Sequence, residues 1–545
     1  MPTPPAALLR RLEATRLDYG RGRAATKLGL LRELARTRLA TARQVSRLHE
    51  HLCFIRAYPD SRSVLAQVEA MLAGFARRTD LRRHRDELAE SGIAGCDIRY
   101  RFFWPTARWL VARWPARLAF DWDELDDPDR LASLLPLLVT PIEATWLKIR
   151  KPDPRAALAR LRGRDADAVS FVRRVAAMPG DDFTREARFD ELEPPFVLRP
   201  GPGTPARTRA RYERSPVVFR RQPPPRGRPD LLTELARPPR SVRPVGVTTG
   251  QRLIDLAQEA MVTRSRDLDA FAYGDPRDVR VVDDGDGLQW ALIGTLPERR
   301  PVLRTTYGQL GLRNGVPVAY VEADMLFGCA DLAYNTFETF RGGESAFLFA
   351  RLLAMLRHVF DTRSFTFEPY QLGHDNDEGL DSGAWWFYYK LGFRPRSSAI
   401  RGIVRTELAR LRRNASYRSS RKTLARLAED YLYFEPEGDR APYWPRLAEL
   451  GVRLAPGLAV NADREAAAPM LGASLPRRKN GARMAWDRWA PIVASLPGLA
   501  QWSADERSAL ARVIAAKGGR RDGDYLALFE AHPKLGPALR RLTGA

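Results

Sequence analysis

The sequence predicts a multidomain protein of the α/β class, in which one mixed-sheet domain is flanked by α-helical regions. Over residues 246–402, strand-like alternation of apolar and polar residues is interleaved with helical periodicity, which is typical of strands and helices layered around one sheet. On both sides of that segment, leucines recur at the spacing of amphipathic helices. A chain of 545 residues is long enough to form several hydrophobic cores.

The composition excludes several classes of protein. No uninterrupted apolar run reaches the roughly 18 residues that a membrane helix needs, and the first twenty residues lack the apolar stretch of a secretory signal. Cys53, Cys96 and Cys329 are far apart and odd in number, so they predict neither a disulfide framework nor a zinc site. We therefore expect a cytoplasmic protein without a membrane span.

The net charge of +23 is distributed unevenly. Residues 246–400 contain 16 Lys and Arg against 21 Asp and Glu, so the positive charge lies in the flanking regions. Such flanks would suit a polyanion partner such as RNA, DNA or an anionic membrane surface. The alternative is an arginine-rich helical surface that only contacts solvent.

Four regions follow from the patterns along the chain. Residues 1–185 are predicted to be helical. Residues 186–245 are predicted to be a linker, because the part from 194 to 244 holds 13 Pro and 12 Arg but three acidic residues, too few apolar groups for a core. This linker is also a candidate for polyanion contact. The mixed-sheet domain covers residues 246–402, and residues 403–545 are predicted to be helical again.

Within the central domain, a helix over Gln251–Val262 is followed by alternating runs that predict strands. Asn314-Gly315 predicts a hairpin turn, because a type I′ turn needs positive φ at both central positions. The elements predicted after the helix are strands at Val279–Val282, Leu288–Ile293, Tyr307–Leu312, Val316–Ala323 and Asp331–Thr336, a helix at Ser345–Phe360, a strand at Ser364–Tyr370, a short helix around Tyr388 and a strand from Phe393.

Two motifs about 40 residues apart carry the chemical signal. The first is Phe340-Arg-Gly-Gly-Glu-Ser-Ala346, between a predicted strand and a predicted helix. The second is Ala384-Trp-Trp-Phe-Tyr-Tyr-Lys-Leu-Gly-Phe393, where a helix stops at a glycine and leads into a strand. In this order and on these element types, they resemble the R-x-x-G-x-G/A loop and the last helix–strand element of the GNAT acyltransferase superfamily. The resemblance covers about 155 of the 545 residues.

The resemblance implies a transfer of an acyl group from acetyl-CoA or another acyl-CoA to an amine acceptor. Acyl-CoA would lie between the strands that end near Thr336 and Tyr370. Backbone amides at a helix start favour an anion, so the loop would hold the pyrophosphate. Tyr388 would protonate the leaving thiolate. Glu368 on the splayed strand would take the proton of the amine, directly or through water, and Glu338 at the exit of the central strand is the competing candidate for this role. The residues expected to contact the cofactor are Thr336, Arg341, Gly342, Gly343, Ser345 and Ala346.

Two departures from the family pattern leave alternatives open. Glu344 stands where the family has glycine, and its carboxylate would repel a pyrophosphate unless it turns outward to cap the helix. Asp381 stands where asparagine is common. One alternative is a non-catalytic protein of this fold that binds nucleic acid or another polyanion through its basic flanks. Another is a transferase that takes an aminoacyl group from tRNA, as peptidoglycan-building transferases with paired GNAT-type domains do.

Three further clusters have simpler interpretations. His49 and Cys53 would share a helix face, while His51 points away, so a metal site is not predicted. The loop His374–Glu378 groups an imidazole with acids, but it lacks the spacing of a calcium loop. The segment Tyr100–Trp114 interleaves aromatic residues with arginines, as nucleic-acid stacking surfaces do. An amphipathic helix with a buried Trp109 explains the same pattern.

Overall fold

A computed structural model gives the fold, and two compact units account for the chain. The structure describes residues 4–20, 22–225, 227–341, 344–438, 450–454, 467–473 and 481–543. The first unit consists of Met1–Pro224, Arg252–Ala272 and Arg313–Pro317. The second unit consists of Pro225–Gln251, Tyr273–Leu312 and Val318–Ala545.

The chain up to Pro224 is mainly helical. Its helices are α1 (Pro5–Thr15), α2 (Arg23–Arg36), α3 (Ala42–Ala57), α4 (Arg62–Gly74), α5 (Thr79–Arg83), α6 (Trp104–Arg113), α7 (Pro128–Leu134), α8 (Pro141–Arg150), α9 (Pro154–Leu161), α10 (Asp167–Ala177) and α11 (Asp182–Leu192). Its strands are β1 (Ile98–Tyr100), β2 (Leu118–Phe120) and β3 (Phe196–Leu198), which form an antiparallel sheet with β3 in the middle.

Local sequence explains where several of these helices begin. The hydroxyls of Thr41 and Ser61 accept hydrogen bonds from backbone amides in the first turns of α3 and α4, as N-cap residues do. The predicted leucine periodicity is confirmed, because Leu8, Leu12 and Leu31 are buried in one core. The apolar faces of α1 to α4 therefore form this core.

The predicted linker, residues 186–245, contains ordered structure. Its strand β3 pairs with β1 and β2. The buried Thr208 accepts a hydrogen bond from the amide of Ala94 at 2.9 Å, and Arg211 forms an ion pair with Glu69 at 2.7 Å. The part of this segment up to Pro224 belongs to the first unit. Some of its arginines already form ion pairs within the protein, as Arg207 does with Glu50 and Arg211 with Glu69. These side chains are therefore less available to a polyanion.

The remaining elements begin with α12 (Leu231–Ala236), β4 (Ser241–Pro244), α13 (Val247–Val262) and α14 (Asp269–Ala272). The strands and helices that follow are β5 (Gly274–Gly285), β6 (Leu288–Thr295), β7 (Thr305–Arg313), β8 (Val316–Leu326), β9 (Cys329–Thr336), α15 (Ser345–Phe360), β10 (Ser364–Phe367), α16 (Pro369–Leu372), α17 (Asp377–Ser382), α18 (Ala384–Leu391) and β11 (Arg394–Pro395). The last elements are α19 (Ser398–Arg413), α20 (Arg421–Leu427), β12 (Leu432–Phe434), α21 (Ala467–Met470), α22 (Gly481–Ser495), α23 (Ala504–Lys517), α24 (Asp522–Ala531) and α25 (Leu535–Thr543).

A large mixed sheet organises the second half of the chain, which confirms the α/β class. The strand order is β11-β12-β10-β9-β8-β7-β6-β5-β4. The ladder is antiparallel between β8 and β9, parallel between β9 and β10, and antiparallel between β10 and β12. Helix α15 connects β9 to β10 as a crossover, which parallel neighbours require.

The predicted turn between β7 and β8 is confirmed. Asn314 and Gly315 have φ values of 50° and 80°, the left-handed conformation that a type I′ turn needs at both positions. A Cβ on Gly315 would lie 2.3 Å from the carbonyl oxygen of Tyr212, so glycine is required there for close approach as well as for conformation.

The C-terminal helices belong to the same unit as most of the sheet. Arg300, in the loop before β7, is buried and donates to the carbonyl oxygens of Lys517 and Gly519 at 2.9 and 2.8 Å. The two units therefore divide the chain differently from the four predicted regions. In the described part of the chain, none of the helices combines the length and apolar character needed to span a membrane.

Candidate functional site

A gap between β9 and β10 is the main candidate site. The two parallel strands pair from Ser364 opposite Cys329 to Thr366 opposite Asp331. Beyond that pair, β9 continues to Thr336 while β10 ends at Phe367. In the described residues the parallel ladder ends at the Asp331–Thr366 pair, and residues 332–336 of β9 extend past it without a β10 partner. We call the region past this last pair the β9–β10 gap.

Aromatic side chains cover one face of the gap. Tyr388, from α18, is 4% exposed and stacks on Phe367 with ring centroids 3.7 Å apart. Phe349, from α15, contacts both rings, at centroid distances of 5.6 Å to Tyr388 and 5.8 Å to Phe367. Burial raises the pKa of Tyr388 well above its usual value. The phenol therefore keeps its proton at neutral pH.

A second tyrosine connects the end of β9 to the start of α15. The hydroxyl of Tyr334 lies 2.7 Å from that of Thr336 and donates to the carbonyl oxygen of Ser345 at 3.1 Å. Burial raises the pKa of Tyr334, with the nearby Glu344 carboxylate adding to the effect. The Ser345 hydroxyl is buried and has no hydrogen-bond partner among the described residues. Thr336 and Ser345, both predicted cofactor contacts, thus lie in the same small cluster.

Arg341 holds the end of β9 to α17. Its guanidinium donates to the carbonyl oxygen of Thr336 and to the side chain of Asn335, each at 3.0 Å, and pairs with Glu378 at 2.9 Å. An anion at the loop would therefore compete with Glu378 for this charge. The predicted cofactor contacts Gly342 and Gly343 lie outside the described residues, and Ala346 is half-buried in the first turn of α15.

Glu344 occupies the N-cap position of α15 with its side chain turned inward. The residue is 2% exposed, and its side chain does not cap the helix. Its carboxylate is close enough to raise the pKa of Tyr334. The outward, helix-capping arrangement considered from the sequence is therefore absent, and a negative charge lies beside the Tyr334–Thr336 cluster.

Acidic side chains cover the opposite face of the gap. Asp331 and Thr366 are ladder partners, so their side chains share the face opposite Phe367. Burial raises the pKa of Asp331 well above its usual value, and the negative charges of Glu368 and Asp324 raise it further. One carboxyl oxygen of Asp331 is buried without a hydrogen-bond partner among the described residues. Arg304 pairs with Asp324 at 2.7 Å and partly balances this charge.

The predicted acid and base are thus on different faces of the sheet. Tyr388 is on the face of Phe367, whereas the half-buried Glu368 interacts with Asp331 on the other face. Both are next to Phe367, the last residue of β10, Tyr388 through ring stacking and Glu368 along the chain. Tyr334 and Asp331 were not among the predicted site residues. Their alternating positions along β9 placed them on opposite faces, but the sequence alone did not show which face borders a site.

The histidine cluster near the N-terminus is part of a core. His49 lies 2.8 Å from the Thr208 hydroxyl through its Nε2 atom, and Cys53 lies within 4 Å of the same ring. Burial lowers the pKa of His49 well below its usual value and that of His51 to about 3. In the part of the chain that the structure describes, no group of three or more His, Cys, Asp or Glu residues is placed to hold a metal ion.

Comparison with known proteins gave no significant match to a family model, to a curated protein or to a solved structure. Any assignment of function therefore depends on the residues of the gap.

Proposed function

We propose that the protein transfers an acyl group from acyl-CoA to an amine, with the reaction taking place in the β9–β10 gap. The observation that carries the proposal is the parallel ladder that ends at the Asp331–Thr366 pair while β9 runs on to Thr336, a few residues before α15 begins at Ser345. In the GNAT fold that the sequence resembles, the acyl-pantetheine lies in such an opening. Holding both reactants there would supply much of the rate by proximity.

The start of α15 would form the donor end of the site. The helix has no side-chain cap and no acidic residue in its first turn. Its free amide groups and its dipole therefore favour an anion. The unpartnered Ser345 hydroxyl would add a donor, and Arg341 would contribute charge if the phosphate displaced Glu378. The buried Glu344 opposes this charge and would weaken the affinity for CoA.

The acidic face would form the acceptor end of the site. Asp324 and Glu368, the two carboxylates whose charges raise the pKa of Asp331, provide negative charge that attracts a protonated amine. An amine must lose a proton before it attacks the acyl carbon. The raised pKa of Asp331 makes it a stronger base than an ordinary aspartate when ionised, and the half-buried Glu368 is the more accessible of the two.

A thermal-shift titration tests the donor end. CoA and acetyl-CoA should each raise the Tm of the full chain by a few degrees at millimolar concentration, because a ligand that binds the folded state stabilises it by mass action. Pantetheine, which lacks the pyrophosphate, should produce a much smaller shift. Arg341→Ala should reduce the CoA shift, and Arg357→Ala is the matched control at the other end of α15.

The variant Glu344→Gln makes the titration decisive. It removes the buried negative charge while keeping the side-chain shape, so the apparent affinity for CoA should increase by about tenfold, on the order of 1.4 kcal/mol. If neither the wild type nor Glu344→Gln shows a shift with millimolar CoA or acetyl-CoA, the acyl-CoA proposal is rejected.

A further inference from the structure

The segment from Arg394 to Arg426 carries a strong excess of positive charge. It contains ten arginines and one lysine against a single acidic residue, Glu407. The segment includes α19 and α20, which pack against each other. So many positive charges within 33 residues create a local positive electrostatic potential, which favours binding of an anionic partner.

The one carboxylate of this segment is turned into the protein. Glu407 is 1% exposed and accepts hydrogen bonds from the hydroxyl of Tyr417 at 3.0 Å and from Arg410 at 2.8 Å. The hydroxyl of Ser419 donates to it as well. Through these hydrogen bonds the buried Glu407 holds the segment between α19 and α20 in place. It adds no negative group to the outer surface.

Three arginines of α19 form a row on its outer face. Arg401, Arg405 and Arg412 are all exposed, and at 100° per residue they lie within about 40° of one another on the helix. The row extends for about 17 Å at a rise of 1.5 Å per residue. None of the three forms an ion pair with an acidic side chain among the described residues, although Arg401 donates to the carbonyl oxygen of Arg396.

The chemistry of this row favours phosphate. Guanidinium groups bind phosphate oxygens through two parallel hydrogen bonds. A membrane-binding helix would add exposed apolar residues to the basic ones. In α19, however, Ile400 and Val404 are buried, and no large apolar side chain between 394 and 427 is among the exposed ones. A single-stranded nucleic acid would be expected to stack on exposed aromatic rings, which this surface lacks among its described residues.

We propose that the outer face of α19, defined by Arg401, Arg405 and Arg412, binds the phosphate backbone of a nucleic-acid duplex without sequence preference. Lys422 and Arg426, exposed on the adjoining α20, contribute additional positive charge. The proposal does not depend on acyl transfer, because the α19 residues are distinct from those of the β9–β10 gap.

Fluorescence anisotropy with the full chain tests this proposal. The probes are labelled 20-base-pair RNA and DNA duplexes of two unrelated sequences, titrated at several salt concentrations without any acyl donor. The triple variant Arg401→Gln, Arg405→Gln, Arg412→Gln should bind at least tenfold more weakly than the wild type. The slope of log affinity against log salt should decrease in magnitude by about 2.7, since each of the three lost phosphate contacts contributes roughly 0.9 for a duplex.

The control variant carries the same loss of charge in the first unit. Arg150→Gln, Arg162→Gln, Arg164→Gln also removes three exposed arginines that have no acidic partner among the described residues, and it should change duplex affinity by less than twofold. The proposal is overturned if the two triple variants weaken binding equally. It is also overturned if the wild type binds phosphatidylserine vesicles or polyglutamate but no duplex. Because CoA is absent, neither result affects the acyl-transfer proposal.

Discussion

Tyr388 is the residue at which the proposed chemistry can be examined with least disturbance of the fold. Its ring stacks on Phe367 and contacts Phe349, and phenylalanine would preserve both contacts. If the phenol protonates the thiolate, Tyr388→Phe should lower kcat by 10²–10⁴ and leave the Tm within about 2 °C. Release of free thiol from acetyl-CoA in the presence of a panel of amines measures this rate.

Tyr389→Phe is the control for that substitution. Tyr389 is adjacent in α18 but stacks on Trp385 and lies under Arg394, away from Phe367. A loss of activity as large in Tyr389→Phe as in Tyr388→Phe would indicate a structural effect of α18 and would contradict a proton-transfer role for Tyr388.

A buried ion pair fixes the C-terminal helices of the second unit. Lys517 donates to the carbonyl oxygen of Arg304 at 2.6 Å and pairs with Asp522, which is 0% exposed, at 3.0 Å. Lys517→Met would leave the carboxylate of Asp522 buried without this partner. We expect the free energy of unfolding to decrease by about 3–5 kcal/mol. Chemical denaturation measures the decrease.

The matched control is Lys534→Met, which removes a partly exposed pair with Glu506 and should cost less than about 1 kcal/mol. In the double variant Lys517→Met, Asp522→Asn, part of the stability should return, because the buried carboxylate that would be left with only Arg300, at 3.9 Å, is gone. A double variant that is less stable than the sum of the two single changes would refute this explanation.

At the level of elements, the strand β6 shows how closely neighbouring strands pack. A Cβ on Gly294 would lie 2.2 Å from a carboxyl oxygen of Asp278, which accepts a hydrogen bond from the Tyr307 hydroxyl at 2.6 Å. Gly294→Ala should therefore destabilise the protein by about 1–3 kcal/mol. Gly29→Ala in α2, where nothing lies within 4 Å, should instead stabilise it by roughly 0.5–1 kcal/mol. Thermal unfolding of the two variants should show opposite shifts in Tm.

The elements that sequence alone predicted best have long, regular patterns. The strands β5 to β9, the turn at Asn314-Gly315 and the helix α15 agree with the predicted positions. The sheet of β1, β2 and β3 was not predicted, because strands of three residues are too short to show alternation. Strand β12 was also missed. It joins the large sheet between β10 and β11, and such non-local pairing leaves no local signal.

The candidate site was predictable only where motifs cover it. The motif around Ser345 and the motif around Tyr388 lie on α15 and α18, which the structure packs together through Phe349 and Tyr388. The inward position of Glu344 was one of two arrangements that the sequence allowed, and only its burial in the folded chain distinguishes them. The clustering of Asp331 with Glu368 depends on the register of a parallel pair, which a single sequence does not specify.

At the scale of the whole molecule, the pH dependence of stability should reflect a buried carboxyl in the first unit. Burial, followed by the charge of Asp255, raises the pKa of Glu259 to about 7. The folded state therefore holds this proton more tightly than the unfolded state. The contribution of protonated Glu259 to the free energy of unfolding is fully present below about pH 4.5, the ordinary pKa of a glutamate. It is lost as the pH rises through about 7, the pKa of Glu259 in the folded state.

Glu259→Gln isolates this contribution, because the amide stays neutral. The variant and the wild type should have similar Tm values at pH 5, where Glu259 is protonated. At pH 8 the variant should be more stable by about 1–2 kcal/mol, a range reduced for the partial exposure of the residue. Differential scanning calorimetry at both pH values measures the difference, with the exposed Glu33→Gln as the control. An equal difference at both pH values would contradict the prediction.

The first unit is built from three segments that are not contiguous in the sequence. This arrangement delays its completion during synthesis on the ribosome. Its last segment, Arg313–Pro317, is translated roughly 90 residues after Pro224, a delay of about 5–20 s at typical elongation rates. For that interval the nascent N-terminal helices lack Asn314, whose side-chain amide donates to the carbonyl oxygens of Ala57 and Val218. The polypeptide must therefore stay unaggregated, alone or with a chaperone, until the late segment emerges from the exit tunnel.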